Sequence, residues 1–337
     1  MSFKGWALGC LLAVTGSAVA ESVMRSDHPD SYRVVKGDTL WDISARFLRS
    51  PWLWPEIWQA NPDIANPHLI YPGDLVRLVY IDGVARLVVD RNQIIKLSPK
   101  ARPEPLAGAI PTLPLSVIGP YLSGNQMVAE GELDASPYLV AQRDGKILST
   151  DNDLVYARGE SIVGLSNYGV YRQGRTFVDT DTQAVLGVEA VAVGRADVIN
   201  RDQGLTRVRL SEATREIRAG DRLLPLPQGL DSDFVPSAPP LDIDGQILSV
   251  IDGVQQVGQY DVVIIDRGSV AGLSAGNVLS IMREGALVAD PVSGDSIQLP
   301  DERSGLMMVF RVFDQLSYGL VVQADRAMKV GDPVAAP

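Results

Sequence analysis

The string Gly272-Leu273-Ser274-Ala275-Gly276 sets a serine between two glycines at the spacing where a sharp turn can expose a nucleophilic hydroxyl. Such a serine needs a base to take its proton, and in that arrangement a histidine follows it in the chain. The 337 residues hold two histidines, His28 and His68, both far upstream. A second Gly-Leu-Ser, at Gly164-Leu165-Ser166, continues with Asn167-Tyr168 and lacks the later glycine. Ser274 therefore reads as a turn residue, and no catalytic residue is assigned. Two histidines and the single Cys10 form no set with zinc spacing, and Asp242-Ile243-Asp244-Gly245 is an incomplete calcium loop. Neither metal nor cofactor is expected. The 41 acidic residues allow many carboxylate pairs for glycoside cleavage, but no spacing singles one out.

The elements around the other candidate residues are easier to read. Tyr32 to Val35 predicts a short strand and Gly37-Asp38 its turn, while Thr39-Leu-Trp-Asp42 has the form of a capping box with Asp in place of Glu. A helix is expected from Thr39, with Leu40, Ile43 and Phe47 on one buried face and Arg46 and Arg49 elsewhere. Ser50-Pro51 and Pro55 each offer a helix start. A short second helix is expected from about Pro55 through Ile57, Trp58 and Ala60 until Asn61-Pro62 stops it, and Leu75 to Leu78 supplies the closing strand.

Tyr32-Arg-Val-Val-Lys-Gly-Asp-Thr-Leu-Trp-Asp-Ile at the start and Asn66-Pro-His-Leu-Ile-Tyr-Pro-Gly-Asp-Leu-Val-Arg-Leu at the end closely resemble the lysin motif (LysM). LysM is a βααβ fold that binds polymers containing N-acetylglucosamine, and the resemblance places it at residues 31–79. It implies a sugar groove with Gly37, Asp38, Thr39, Leu40 and Trp41 on one wall. The other wall holds Asn61, Pro62, Asp63, Ile64, Ile70, Tyr71 and Pro72. Such a site needs backbone N–H and C=O groups at the acetamido group and apolar surface against its methyl. Ile57 and Trp58 are expected to fill the core, and Trp52 and Trp54 to brace the helix start.

Lys4, an apolar stretch through Val14 and the small residues Ala18-Val19-Ala20 fit a secretory signal peptide over residues 1–20, cleaved between Ala20 and Glu21. Cys10 lies too early in that stretch for a lipoprotein signal. The mature chain then has no cysteine and no further apolar run long enough to span a membrane, so its stability rests on ordinary cores. A formal net charge of −11 argues against nucleic acid as a partner. No Asn-x-Ser/Thr sequon occurs, which favours a bacterial periplasm, with the protein associated with the cell wall.

Residues 80–137 read as strand-like and then Pro-rich. Prolines 99, 103, 105, 111, 114 and 120 argue against continuous helix, yet Leu106, Ile110, Leu113 and Ile118 make the segment too apolar for a free tether, so part of it should dock. The remainder reads as β-rich and repeats itself. Gly164-Leu-Ser, Arg172-Gln-Gly174, Asp179 and Ile217-Arg-Ala-Gly-Asp221 are answered in order by Gly272-Leu-Ser, Arg283-Glu-Gly285, Asp290 and Met328-Lys-Val-Gly-Asp332. Two similar strand-rich units are expected, at 138–228 and 241–337, joined by a Pro-rich link at 229–240. The fold class expected for the whole is α+β.

This tail is similar to the C-terminal module of flagellar assembly protein T. The order of signal peptide, LysM, linker and tail resembles the type IV pilus secretin-associated protein family (TsaP). The resemblance implies a noncatalytic adaptor that binds peptidoglycan and holds an outer-membrane secretin ring. A wall-bound adaptor of another envelope complex, such as the flagellar basal structure, and a peptidoglycan-processing enzyme are the alternatives.

Overall fold

The structure is a computed structural model describing residues 23–58, 70–82, 84–90, 110–142, 148–159, 165–180, 182–202, 204–227, 234–240, 242–251 and 255–337. The signal segment with Ala20 and Glu21, and Asn61, Pro62, Asp63 and Ile64, lie outside these residues. The chain divides into two compact units, 1–113 and 114–337.

In the first unit β1 (Ser31–Arg33) pairs antiparallel with β2 (Leu75–Ile81), and β2 with β3 (Val84–Asp90). Helix α1 (Leu40–Phe47) begins where Thr39, in extended conformation, turns its hydroxyl oxygen to the Asp42 amide at 3.1 Å and donates to the Asp42 carboxylate at 2.7 Å. That satisfies one of the helix's orphan donors and fixes its first residue. A 3-10 turn at Pro51–Leu53 leads into α2 (Trp54–Trp58). Leu40, Ile43 and Phe47 face inward with Trp54, Trp58, Ile70, Val76 and Leu87, and the two indoles meet edge to face at 5.9 Å. Each such buried apolar side chain contributes roughly 1.5–3 kcal/mol.

The module thus has one strand more than the βααβ expectation. Residues 84–90, read as linker, form β3, because Asp82 adopts a left-handed conformation (φ 52°) at a tight turn and Ala85 and Leu87 reach the core. Asp82-Gly83 is the dipeptide such hairpins favour.

The second unit opens with α3 (Leu115–Ser123), for which the prolines argued against a continuous helix. Pro114 occupies the cap position, outside the hydrogen-bonded turns, and its carbonyl accepts the Val117 amide at 2.9 Å. Five residues then separate it from Pro120, enough for a first turn before the missing N–H matters. β4 (Gln126–Val128) and α4 (Glu132–Ala135) follow.

β5 (Tyr138–Gln142), β6 (Leu148–Ser149), β7 (Leu154–Arg158), β8 (Asn167–Val178), β9 (Val185–Asp202), β10 (Leu205–Ser211), β11 (Ile217–Arg218) and β12 (Arg222–Leu224) come next. Their seven-stranded sheet, with β4, has the order β10-β7-β5-β12-β8-β9-β4, and a further pairing of β10 with β9 closes six strands into a ring. Leu139, Val155, Tyr168, Val170, Val193, Val208 and Leu223 fill it.

The next strands are β13 (Asp244–Val250), β14 (Gln256–Val257), β15 (Val262–Ile265), β16 (Val278–Arg283), β17 (Leu287–Ala289) and β18 (Ser296–Gln298). β19 (Glu302–Val312), β20 (Ser317–Ala324), β21 (Met328–Lys329) and β22 (Pro333–Ala335) follow. Six of them form a closed barrel, β13-β15-β20-β19-β16-β22, around Ile247, Ile265, Leu279, Met307, Val309, Val321 and Val334.

The first ring runs β5-β7-β10-β9-β8-β12, the same order of pairing place by place, and the small pair β6–β11 matches β14–β21. The Gly-Asp turns recur in detail. Gly220 and Gly331 share φ +91°, a left-handed value that suits glycine. Asp221 accepts the Arg218 amide and Asp332 the Lys329 amide, each at 2.9 Å. On β19, the buried Arg311 donates to the carbonyls of Tyr121 in α3 and of Asn125 just before β4, both at 2.6 Å, and lies 4.9 Å from the Phe313 ring. Burial lowers its pKa.

Candidate functional site

The loop before α1 is held by Asp38, whose Oδ2 accepts the Val35 amide at 2.9 Å and the Tyr32 hydroxyl at 3.0 Å. Burial and the bonded Asp38 raise the Tyr32 pKa, and Arg46 stacks 4.3 Å from the Tyr32 ring. Gly37 supplies the left-handed turn residue, with φ +101°. Capping uses the Asp42 amide and leaves the first two N–H groups of α1, those of Leu40 and Trp41, at the helix start, where a partial positive charge favours acceptors. Leu40 and Trp41 have buried side chains, so what they offer a ligand is backbone.

Across from them lies the turn at 71–74. The Tyr71 amide donates to Asp74 Oδ2 at 3.0 Å, and the Gly73 amide donates to the Val34 carbonyl at 2.8 Å, tying this loop to the chain just after β1. Ile70 is fully buried, whereas Tyr71 and Pro72 are half-buried. Gly37, Asp38, Thr39, Leu40, Trp41, Ile70, Tyr71 and Pro72 are thus set around the helix start and the exit turn. Asn61 to Ile64 of the second wall are outside the described residues. Trp58 is core as expected, with Ile57 partly buried against it; Trp54, expected to brace the helix start, is instead fully buried in the same core, because its ring packs edge to face on Trp58, and Trp52 is half-buried.

The residues that sequence reasoning did not assign to this place are Ile110, Pro111 and Thr112. The Leu40 amide donates to the Pro111 carbonyl at 3.0 Å, the Trp41 amide to the Thr112 carbonyl at 3.4 Å, and the Ile110 amide to the Ile70 carbonyl at 2.8 Å. Ile110 is buried in the module's core. The only sequence signal was the apolar content of a Pro-rich stretch.

Residues 32–78 match the LysM domain family. LysM is a binding domain and not a catalytic one. Over 60 residues the chain is 35% identical to the uncharacterized protein YqbP of Bacillus subtilis (strain 168), a stretch covering 15% of this chain and 27% of that protein.

Ser274, in the second unit, sits in a turn. Its amide and hydroxyl both donate to Asn277 Oδ1, at 2.8 and 3.2 Å, and its carbonyl accepts the Asn277 amide at 3.1 Å. Among the described residues no cluster of three or more His, Cys, Asp or Glu could hold a metal ion. No helix among them is long and apolar enough to cross a membrane.

Proposed function

We propose that this protein is a noncatalytic, peptidoglycan-binding adaptor of the periplasm, with the LysM domain holding the cell wall and the β-rich tail holding a protein partner of an envelope machine. The observation that carries the glycan half is the LysM match over 32–78. The start of α1 and the Ile70 carbonyl there could bond both ends of an acetamido group. The second half, with a type IV pilus secretin ring as partner, rests on the order of the modules. The shared pairing order and the shared Gly-Asp turns support reading the two barrels as copies of one unit.

A single shallow groove of this kind supplies about 4 to 7 kcal/mol, a dissociation constant from about millimolar to about ten micromolar. Several copies around a ring would raise retention by roughly 10² to 10⁴ through effective concentration alone. That makes an adaptor physically sensible where a lone module is a poor anchor.

Deletion of residues 32–78 should abolish co-sedimentation with purified sacculi and leave co-purification with the envelope partner intact, and deletion of 241–337 should do the reverse. Digestion of peptidoglycan by the purified protein would overturn the noncatalytic reading. Binding of the tail-only protein to sacculi would overturn the division of labour.

A further inference from the structure

The backbone groups that a glycan would use in the LysM groove are already bonded to the chain itself. Ile110 donates its amide to Ile70, and Pro111 and Thr112 turn their carbonyls to the amides of Leu40 and Trp41. We propose that residues 110–112 are an occluding strap, and that glycan enters this groove only when the strap leaves it. The inference rests on the groove being the glycan site.

A 2-acetamido group presents one N–H donor and one C=O acceptor to its site. The strap presents the same pair, the Ile110 amide and the Pro111 carbonyl, to Ile70 and Leu40, so strap and sugar compete for the same backbone atoms. Pro111 suits an occluder because its ring fixes φ and it brings no N–H of its own into the helix start. Ile110, 4% exposed, anchors the strap in the core.

Thr112 shows that the fit is imperfect. It is 2% exposed, and its hydroxyl has no hydrogen-bond partner among the described residues. A buried hydroxyl without a partner weakens the docked state. The strap is thereby held less tightly than its shape would allow, and the apparent glycan affinity equals the intrinsic affinity scaled by the fraction of open grooves.

The test uses the full chain with chitotetraose as probe, titration calorimetry for affinity, and amide hydrogen exchange resolved at single residues. Ile110→Ala loosens the anchor and should tighten chitotetraose binding by about tenfold, while Thr112→Val removes the orphaned hydroxyl and should weaken it severalfold. Loss of folding cannot produce the first result. In the wild-type protein, saturating probe should speed exchange at the Ile110 amide while the Leu40 and Trp41 amides stay protected. Equal affinities for all three proteins, with Ile110 still protected in the complex, would overturn the strap and leave the glycan site standing. Absence of binding by all three would remove the glycan site and the strap proposal together.

Discussion

Thr39 makes two bonds to Asp42 and is 4% exposed, so its hydroxyl does more than a surface cap. Thr39→Ala should cost the module about 1 kcal/mol, read by urea unfolding followed through tryptophan fluorescence. Tyr318 is a residue of the opposite kind. It packs against Phe310 and Phe313, and its hydroxyl is buried with no partner among the described residues. Burial pushes its pKa up to about 12. An unfolded tyrosine ionises near 10, so the contribution of Tyr318 is fully present below about pH 10 and is lost as pH rises through about 12. Tyr318→Phe should be close to neutral in stability at pH 7 and should flatten the alkaline limb of a stability profile by up to ~1.4 kcal/mol per pH unit. An unchanged alkaline limb would show that Tyr318 does not control it. The capping residue was legible in the sequence because Thr and Asp three apart bond locally. The orphaned hydroxyl of Tyr318 was not, since whether a buried hydroxyl meets a partner is decided by packing and not by its neighbours in the sequence.

At the scale of elements, the hairpin of β17 and β18 stands apart. All six of its strand residues are exposed, Leu287 is 67% exposed and Val292, in its turn, 93%. None of them belongs to the barrel core. Replacing residues 287–298 by a short turn should shift the barrel's melting temperature by no more than a few degrees, as followed by circular dichroism. A large fall would mean that the hairpin stabilises the barrel. The turn at its tip, where Asp290 takes the amides of Val292 and Ser293, matches the turn at Asp179 that joins β8 to β9. Such turns were readable because Asp and Gly at fixed offsets bond their own backbone. β3 was half readable: Ala85-Arg-Leu-Val-Val-Asp has strand character, but a strand-like run by itself does not name the strand it pairs with. The strap was less readable still, since prolines argue against helix and sheet without saying where an extended segment docks.

For the whole molecule, the tryptophans give a selective view. Beyond Trp6, the remaining four of the five are Trp41, Trp52, Trp54 and Trp58, all in the LysM domain, while most of the strands lie in the second compact unit. Denaturation followed by tryptophan fluorescence and by far-ultraviolet circular dichroism should give two transitions with different midpoints. Superimposable curves would show that the two units unfold as one. Closure of the second barrel carries a further consequence, for the order of events during synthesis. β22 lies between β13 and β16, so this barrel cannot close until residues 333–335 have been made. The first ring needs nothing beyond β12 and can form while the ribosome is still reading the second. A chain stalled between residues 324 and 333, with β19 and β20 made and β22 missing, therefore presents two bare strand edges, those of β13 and β16, to whatever other chains are nearby. Such intermediates are natural clients for a holding chaperone, and the second barrel is at its most vulnerable just before β22 is added.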